Sequence, residues 1–374
     1  MKYPLNEDYQ TAVKYCERFV LDPVLKKGHP IKSKFGLLMY SGGYTRVFPI
    51  FVDSEKYALR CWTADIDNAE YRYKCIRQYL ENCHLPYFVS FDYITSGILV
   101  KGKTYPILRM EWAEGDNLKE FVQNNLNNPK ILLTAADAFL KMTKDLHSHN
   151  IAHGDLQHEN IIVQTSQNDI QLILIDYDSL YIPDFFDMPE QIFGLPSFQH
   201  PIRFTKGHQS KAPEKNDYFS EIVIYLSLLA FAENPDLWDI FQVETADGLI
   251  FTEDDFKNPM NSKVFYNLGQ LSQSICILLD LLKSYCNQSN IQFFLPIEQL
   301  IFGTDNSLKT ISSNIDRFSK TIPVPKKKYV PKMINTNVDQ LIKKIKQYSP
   351  PQTAKDKTVS ERGIDKLIQN IKSL

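Results

Sequence analysis

The sequence lacks the features that mark secreted, disulfide-rich or membrane-spanning proteins. Its six cysteines are widely spaced and form no CxxC pair, so we expect reduced thiols rather than a disulfide framework or a cysteine metal site. No segment reaches the roughly 18 uninterrupted apolar residues of a membrane span. The first ten residues, MKYPLNEDYQ, contain no apolar stretch of the kind that signal peptides carry. These absences predict a soluble, cytoplasmic protein.

A strong net charge is also missing, but the balance is uneven along the chain. The net charge is −2, yet residues 321–374 contain 12 Lys and Arg against 4 Asp and Glu, which leaves 30 basic against 40 acidic residues elsewhere. The sequence therefore describes an acidic body with a basic tail. With 43% apolar residues, the composition is that of a globular protein.

The first part of the chain has the patterns of strands. After a helical pattern at residues 8–20, strand patterns follow in FGLLMY (35–40), TRVFPIFV (45–52), YALRCW (57–62), YFVSFDYI (87–94) and YPILRMEW (105–112). Residues 67–82 have helical spacing. The pattern predicts a small unit of about five strands and one helix.

The second part is helical. Helices are predicted at residues 131–148, 217–232, 262–285 and 308–320, and the second of these is apolar almost all round, as in a helix buried in a large core. We expect an N-terminal helical extension (1–34), a sheet-rich lobe (35–115), a larger helical lobe (116–320) and a basic linker and tail (321–374).

The tail contains an internal repeat. VDQLIKKIKQ (338–347) and IDKLIQNIKS (364–373) each place four apolar residues on one helical stripe. Such short helices are marginal alone in water, so we expect them to dock on the chain's own body or on a partner. A disordered tail, or one that binds nucleic acid or an anionic membrane, remains an alternative.

A group of polar residues follows the helix at 131–148. In AHGDLQHENIIV, Asp155 and Asn160 stand just before an apolar run, and a second run ends at Asp176. Two short apolar runs joined by a polar turn predict a β-hairpin, whose antiparallel pairing places Asn160 beside Asp176. Oxygen donors grouped in this way suit Mg²⁺.

These residues resemble the protein-kinase superfamily, specifically bacterial eukaryotic-like kinases. LHSHNIAHGDLQHEN is similar to the catalytic loop with its HRDxxxxN spacing, LIDYD to the metal-binding DFG, YALRCW to the third strand, RMEWAEGDNL to the hinge, and GLPSFQHP to the end of the activation segment. The resemblance covers about residues 8–260. It implies a bilobal α+β fold that uses ATP and Mg²⁺.

The resemblance also implies roles for individual residues. Asp155 would be the catalytic base, while Asn160 and Asp176 would bind the metal. Arg60 would contact phosphates in place of the usual lysine, with Glu70 as a candidate ion-pair partner. The remaining ATP-binding positions are Gly42, Gly43, Val47, Ala58, Met110, Glu111 and Ala113. His153 and Asp217 are expected to be structural, and YSGGYT could be a plain hairpin turn.

Several positions depart from the family pattern. Gly154 replaces the arginine of HRD, which removes the usual partner of a phosphorylated activation loop. Gln157 replaces a lysine near the transferred phosphoryl group, and Asp178 replaces the glycine of DFG. FQHPIR lacks the glutamate of APE, so the salt bridge formed by that glutamate is expected to be absent or replaced.

We therefore expect a Mg²⁺–ATP-dependent phosphotransferase, most simply a serine/threonine kinase with a protein substrate. A pseudokinase scaffold or nucleotide-binding module is the first alternative, because the glycine loop is degenerate and Arg60 stands where lysine is usual. A small-molecule kinase of the aminoglycoside phosphotransferase type is the second, because HGDL also occurs there. The sequence does not predict the oligomeric state.

Overall fold

A computed structural model describes residues 3–34, 36–166 and 169–302. These belong to the first of two units in the chain, 1–329 and 330–374. The strands are β1 (His29–Pro30), β2 (Lys32–Ser33), β3 (Gly36–Leu37), β4 (Tyr40–Ser41), β5 (Thr45–Val52), β6 (Glu55–Trp62), β7 (Phe91–Val100), β8 (Lys103–Glu111), β9 (Asp116–Asn117), β10 (Ile161–Thr165) and β11 (Ile170–Leu174). The helices are α1 (Asn6–Lys14), α2 (Cys16–Phe19), α3 (Ala69–Cys83), α4 (Leu118–Asn124), α5 (Pro129–Ser148), α6 (Tyr218–Glu233), α7 (Leu237–Ile240), α8 (Glu253–Lys257), α9 (Lys263–Leu268), α10 (Gln273–Cys286) and α11 (Ile297–Phe302).

The small lobe is built on one antiparallel sheet. Its strand order is β1-β5-β6-β8-β7, and β4 also pairs with β5. Directly opposed residues share a face of the sheet, so the register places Val47 beside Arg60 and Ala58 beside Met110 on the same face. Phe48 and Leu59, which are also opposed, lie on the other face. The sheet therefore separates candidate site residues from an apolar face.

That apolar face is covered by the N-terminal segment. Tyr9 and Val13 of α1 are fully buried in one cluster with Phe48 and Leu59. The Tyr9 hydroxyl donates to the Trp62 carbonyl over 2.7 Å. Residues 3–34 thus contribute to the hydrophobic core of the small lobe, and they include β1, which pairs with β5.

The larger lobe is centred on α6. Every residue from Tyr218 to Ala232 is buried, and α5 and α10 both pack against this helix. Full burial of a Leu, Ile or Phe side chain contributes about 1.5–3 kcal/mol, so α6 is a principal source of core stability. This confirms the buried helix predicted at 217–232.

Some predicted elements have different limits. The helix predicted at 262–285 is two helices, because α9 ends at Leu268, just before Gly269, and α10 begins at Gln273; glycine favours such breaks. The strand predicted at 87–94 begins only at Phe91, because the Tyr87 carbonyl accepts instead from the N–H of Leu174 on β11, at 2.7 Å. FGLLMY contributes only the short strands β3 and β4.

The predicted β10–β11 hairpin is present. Ile161 pairs with Leu174, and the N–H of Ile175 donates to the Asn160 carbonyl over 3.0 Å. Together, the antiparallel sheet lobe and the helical lobe confirm the expected protein-kinase-like α+β fold. No helix in the described ranges combines the length and hydropathy of a membrane span. The helix predicted at 308–320 and the tail with its two repeats lie outside the described residues.

Candidate active site

The loop between α5 and β10 is held by hydrogen bonds to a buried carboxylate, that of Asp217. The backbone N–H groups of His153 and Gly154 donate to the two oxygens of Asp217, the latter over 2.9 Å. The His153 ring is fully buried and its Nε2 contacts the Ile175 carbonyl at 2.8 Å. This contact requires the proton on Nε2. Asp217 and His153 therefore have the structural positions that the sequence predicted, although Nδ1 of His153 has no hydrogen-bond partner.

Gly154 is required by the geometry of this loop. Its φ is +78°, and a Cβ there would lie 2.5 Å from the Ser179 carbonyl oxygen. An arginine at this position, as in HRD, would meet both the strain of a positive φ and this collision. The departure from the family pattern is thus part of the local fold.

Asp155 follows Gly154 in this anchored loop, and each of its carboxylate oxygens accepts one hydrogen bond. Oδ1 accepts from the N–H of Leu195 at 3.0 Å, and Oδ2 accepts from Nδ2 of Asn160 at 3.2 Å. Burial, and then the negative charge of Asp176, raise the pKa of Asp155 to about 6. A carboxylate with a raised pKa is a better proton acceptor than an ordinary surface aspartate.

Asn160 and Asp176 flank the open end of the hairpin, as predicted. Nδ2 of Asn160 makes both of its bonds to Asp155, one to Oδ2 and one of 2.8 Å to the backbone carbonyl, which leaves Oδ1 available as a ligand. Asp176 adopts a left-handed conformation, with φ 66°, a strained geometry that recurs at functional sites. A carboxylate and an amide oxygen suit a hard cation such as Mg²⁺, so these residues fit the predicted metal.

Arg60 joins the sheet to this hairpin end. Its Nη2 donates to Oδ1 of Asp176 at 2.7 Å and to Oδ2 of Asp178 at 2.6 Å, while Nη1 donates to the Tyr73 hydroxyl at 3.2 Å. Burial opposes ionisation of Asp176, but the charge of Arg60 lowers its pKa. The pKa of Asp178 is raised, because burial outweighs the same charge.

The prediction that Glu70 forms an ion pair with Arg60 is therefore wrong. Glu70 is exposed on α3, whereas the buried guanidinium forms its ion pairs with Asp176 and Asp178. The sequence contained a usable signal, since Asp178 is an acid two positions beyond Asp176.

The other predicted ATP-binding positions are grouped along the sheet and its edge. Val47 and Ala58 are half-buried and Met110 is buried on the face that carries Arg60. Glu111 ends β8, and its N–H donates to the Ser90 carbonyl at 2.9 Å. The half-buried Ala113 lies two residues further on. These positions are those expected for a nucleotide site between the sheet face that carries Arg60 and the segment that follows β8.

The glycine positions form a simple hairpin tip. The N–H of Gly42 donates to the Thr45 carbonyl at 3.1 Å. A Cβ at Gly43 would have no heavy atom within 4 Å, and neither glycine has a positive φ. The local geometry therefore does not demand glycine at residue 43, whereas a Cβ at Gly42 would lie 3.0 Å from Oγ1 of Thr45. A role of the tip in phosphate binding stays a prediction.

A buried arginine, Arg203, links the segment that follows the hairpin to the loop that contains Gly154. Nη1 of Arg203 donates to the Gly154 carbonyl at 2.9 Å and also to Oε1 of Gln199, and Nη2 pairs with Glu190 at 3.1 Å. Glu190 also accepts from Asn216. A salt bridge within the segment thus occurs in a chain that lacks the glutamate of APE. Arg203 and Glu190 are not among the site residues that the sequence predicted.

A cavity of about 400 Å³ opens beside the loop that contains Asp155. Leu195, which contacts Asp155, and His158 and Glu159 of the loop are among its lining residues. Four exposed acids line it, against one lysine: Glu120, Glu159, Glu244, Asp247 and Lys119. The approach to Asp155 from this side is therefore negatively charged.

Residues 111–180 match the family described as "Lipopolysaccharide kinase (Kdo/WaaP) family". The matched range contains the hinge, the catalytic loop and the β10–β11 hairpin. Among solved structures, the chain is similar to the kinase PK-1 of the Cydia pomonella granulovirus, with 13% identity over 72% of this chain and 93% of the viral chain, and a TM-score of 0.45. Comparison with curated proteins gives no match.

The family match supports a protein-kinase-like phosphotransferase. It leaves the acceptor undetermined, because the match covers only 70 of the 374 residues.

Proposed function

We propose that the protein transfers the γ-phosphoryl group of Mg²⁺–ATP to a hydroxyl group, with a serine or threonine of a protein as the acceptor. The observation that supports the proposal is the direct contact between Asp155 and Asn160 at the end of the hairpin that carries Asp176. A base and two oxygen ligands in one site are what phosphoryl transfer requires.

Each residue would have a separate task. Asp155 would accept the proton of the acceptor hydroxyl. The oxygen of that hydroxyl would form the new bond to the γ-phosphorus, while the bond from this phosphorus to the bridging oxygen breaks and ADP leaves. Asn160 and Asp176 would hold Mg²⁺, which when bound neutralises charge on the phosphates. Arg60 would contact the phosphates of the nucleotide, since a guanidinium can pair with two oxygens at once.

The charge around the cavity favours a neutral or cationic acceptor. Its four carboxylates against one lysine would repel an anionic acceptor near Asp155. A serine or threonine in a polar or basic peptide meets this condition. A sugar hydroxyl of lipopolysaccharide is the second candidate, favoured by the family matched at residues 111–180.

A scaffold that binds nucleotide without transfer is the third candidate. The observation that favours it is that both acids already have partners: Leu195 donates to Asp155, and Arg60 pairs with Asp176. These contacts would have to open or shift for turnover.

The test is transfer of ³²P from ATP by purified protein to peptides of different charge and to lipopolysaccharide. We expect labelled serine or threonine with wild type and a loss of at least about 100-fold with Asp155→Asn, in line with the loss of a general base. Asp236→Asn, an exposed aspartate before α7, is the matched control. If lipopolysaccharide is labelled and the peptides are not, a sugar hydroxyl is the acceptor. If Mg²⁺–ATP binds but nothing is labelled, the protein is a nucleotide-binding scaffold.

A further inference from the structure

We infer that Asp178 is a positioning residue that holds Arg60 toward the nucleotide phosphates and takes the place of an acidic partner on α3. The inference rests on the proposed nucleotide site. It assigns a function to a position where the kinase resemblance predicts only a glycine.

The two carboxylates that Arg60 contacts differ in exposure. The side chain of Asp178 is 4% exposed and that of Arg60 is also 4% exposed, whereas the side chain of Asp176 is 37% exposed. Incoming phosphate and metal can therefore reach Asp176 but not Asp178. When nucleotide binds, Arg60 can exchange its contact with Asp176 for a phosphate and remain held by Asp178.

Asp178 is itself oriented by α3. The Tyr73 hydroxyl donates to Oδ1 of Asp178 at 2.5 Å, while Oδ2 faces Arg60. Nη2 of the neighbouring Arg72 donates to the backbone carbonyls of Asp178 at 3.3 Å and Leu180 at 3.0 Å. Two consecutive residues of α3 therefore fix the segment that anchors Arg60.

A packing role alone does not account for this arrangement. A buried ion pair contributes little more stability than apolar side chains of the same volume. Here the shared nitrogen, Nη2, faces both the buried acid and the partly open one. The geometry thus links a fixed partner and an exchangeable partner through one cation.

The test is a double-mutant cycle on the full-length protein. Arg60→Lys shortens the cationic side chain and Asp178→Glu lengthens the acidic one. Each change alone therefore alters the distance between the two charged groups, and the two together restore it. We expect each single variant to weaken Mg²⁺–ATP binding on the order of tenfold, measured by calorimetry, and the double variant to recover to within about threefold of wild type. Arg77→Lys, in an exposed ion pair on α3, should leave binding unchanged.

Other outcomes separate this inference from the proposed function. If the losses in Mg²⁺–ATP affinity of the two single variants multiply in the double variant, the role of Asp178 is overturned. If wild type binds Mg²⁺–ATP and the cycle shows recovery but no phosphate is transferred, the inference holds and phosphotransfer fails. If wild type binds no nucleotide, both fail.

A second variant covers the case in which Asp178→Glu does not fold. Tyr73→Phe keeps both charges and removes the hydroxyl that donates to Asp178 and accepts from Nη1 of Arg60. A loss in Mg²⁺–ATP affinity of about threefold, in a variant that still unfolds cooperatively but at a lower melting temperature because two buried hydrogen bonds are lost, supports positioning. Unchanged binding overturns it.

Discussion

The backbone N–H of Leu195 donates to Oδ1 of Asp155 over 3.0 Å. The residue before it, Gly194, has φ +78°, and a Cβ there would lie 2.7 Å from the same oxygen. The segment after the β10–β11 hairpin therefore lies directly on the proposed catalytic base. Its position depends on the absence of a side chain at residue 194.

Gly194→Ala is expected to lower kcat by at least about tenfold. The methyl group would displace either the segment or Asp155, and a shift of about 1 Å at a reacting group can cost up to about 100-fold. Steady-state phosphotransfer kinetics measure the effect, and binding of Mg²⁺–ATP should change little.

Gly207→Ala is the matched control for that variant. Gly207 has the same φ of +78°, but a Cβ there would have no heavy atom within 4 Å. Both variants carry a backbone strain of about 1–2 kcal/mol, so only Gly194→Ala should lose activity. Equal losses in the two would show that strain, rather than contact with Asp155, is responsible.

The rate of phosphotransfer should fall as the pH drops below about 6, the value to which burial and the charge of Asp176 raise the pKa of Asp155. A general base must be deprotonated, so the rate follows the ionised fraction and decreases about tenfold per pH unit on the acid side. The kcat–pH profile of wild type tests this. A profile that is flat through this pH would remove Asp155 as the base.

His147 should make stability depend on pH. It contacts Glu221 at 2.7 Å and Glu298 at 3.0 Å. Burial lowers its pKa, but the charges of both glutamates outweigh burial and raise it to about 10. Because this lies above the ordinary value of 6.5, the stabilisation is complete below about pH 6.5 and is lost as pH rises through about 10.

Urea denaturation of wild type and His147→Leu between those limits tests this linkage. The variant should lose about 3 kcal/mol of unfolding free energy at neutral pH, because Glu221 is left buried without its partner, and its stability should decline less steeply than that of wild type as pH rises toward 10. Lys257→Ala, in an exposed pair with Glu253, should leave the unfolding midpoint unchanged. An equal decline with pH in wild type and His147→Leu would contradict the assignment.

Asp22 should link the N-terminal segment to the stability of the small lobe. Its Oδ1 accepts from the N–H of Leu25 at 2.7 Å, and its Oδ2 accepts from Arg109 of β8 at 2.8 Å. The residue is 3% exposed. Asp22→Ala should therefore cost about 2–4 kcal/mol in unfolding free energy, and Glu17→Ala, an exposed acid of the same segment, almost nothing. Similar stabilities in the two variants would show that the segment is not integral to the fold.

Local patterns in the sequence predicted the elements that carry the site. The hairpin at 161–174 and the buried helix α6 were found because strand length, turn residues and apolar periodicity are properties of neighbouring residues. The same holds for Asn160 and Asp176, since a hairpin necessarily brings its two ends together.

Long-range contacts were not predicted. The partner of Arg60 lies 118 positions further along the chain, and an acid on the next helix was the more obvious candidate. Arg203 with Glu190, and Leu195 on Asp155, likewise depend on how a long segment packs over the catalytic loop.

By itself, the sequence determined that Asp155, Asn160 and Asp176 stand at one hairpin end, because their spacing and the strand pattern are local. Only the tertiary structure decided which acid holds Arg60 and that residues 3–34 complete the core of the small lobe. These pairings depend on which surfaces meet when the lobe folds, and side chains far apart in sequence carry no local signal of that meeting.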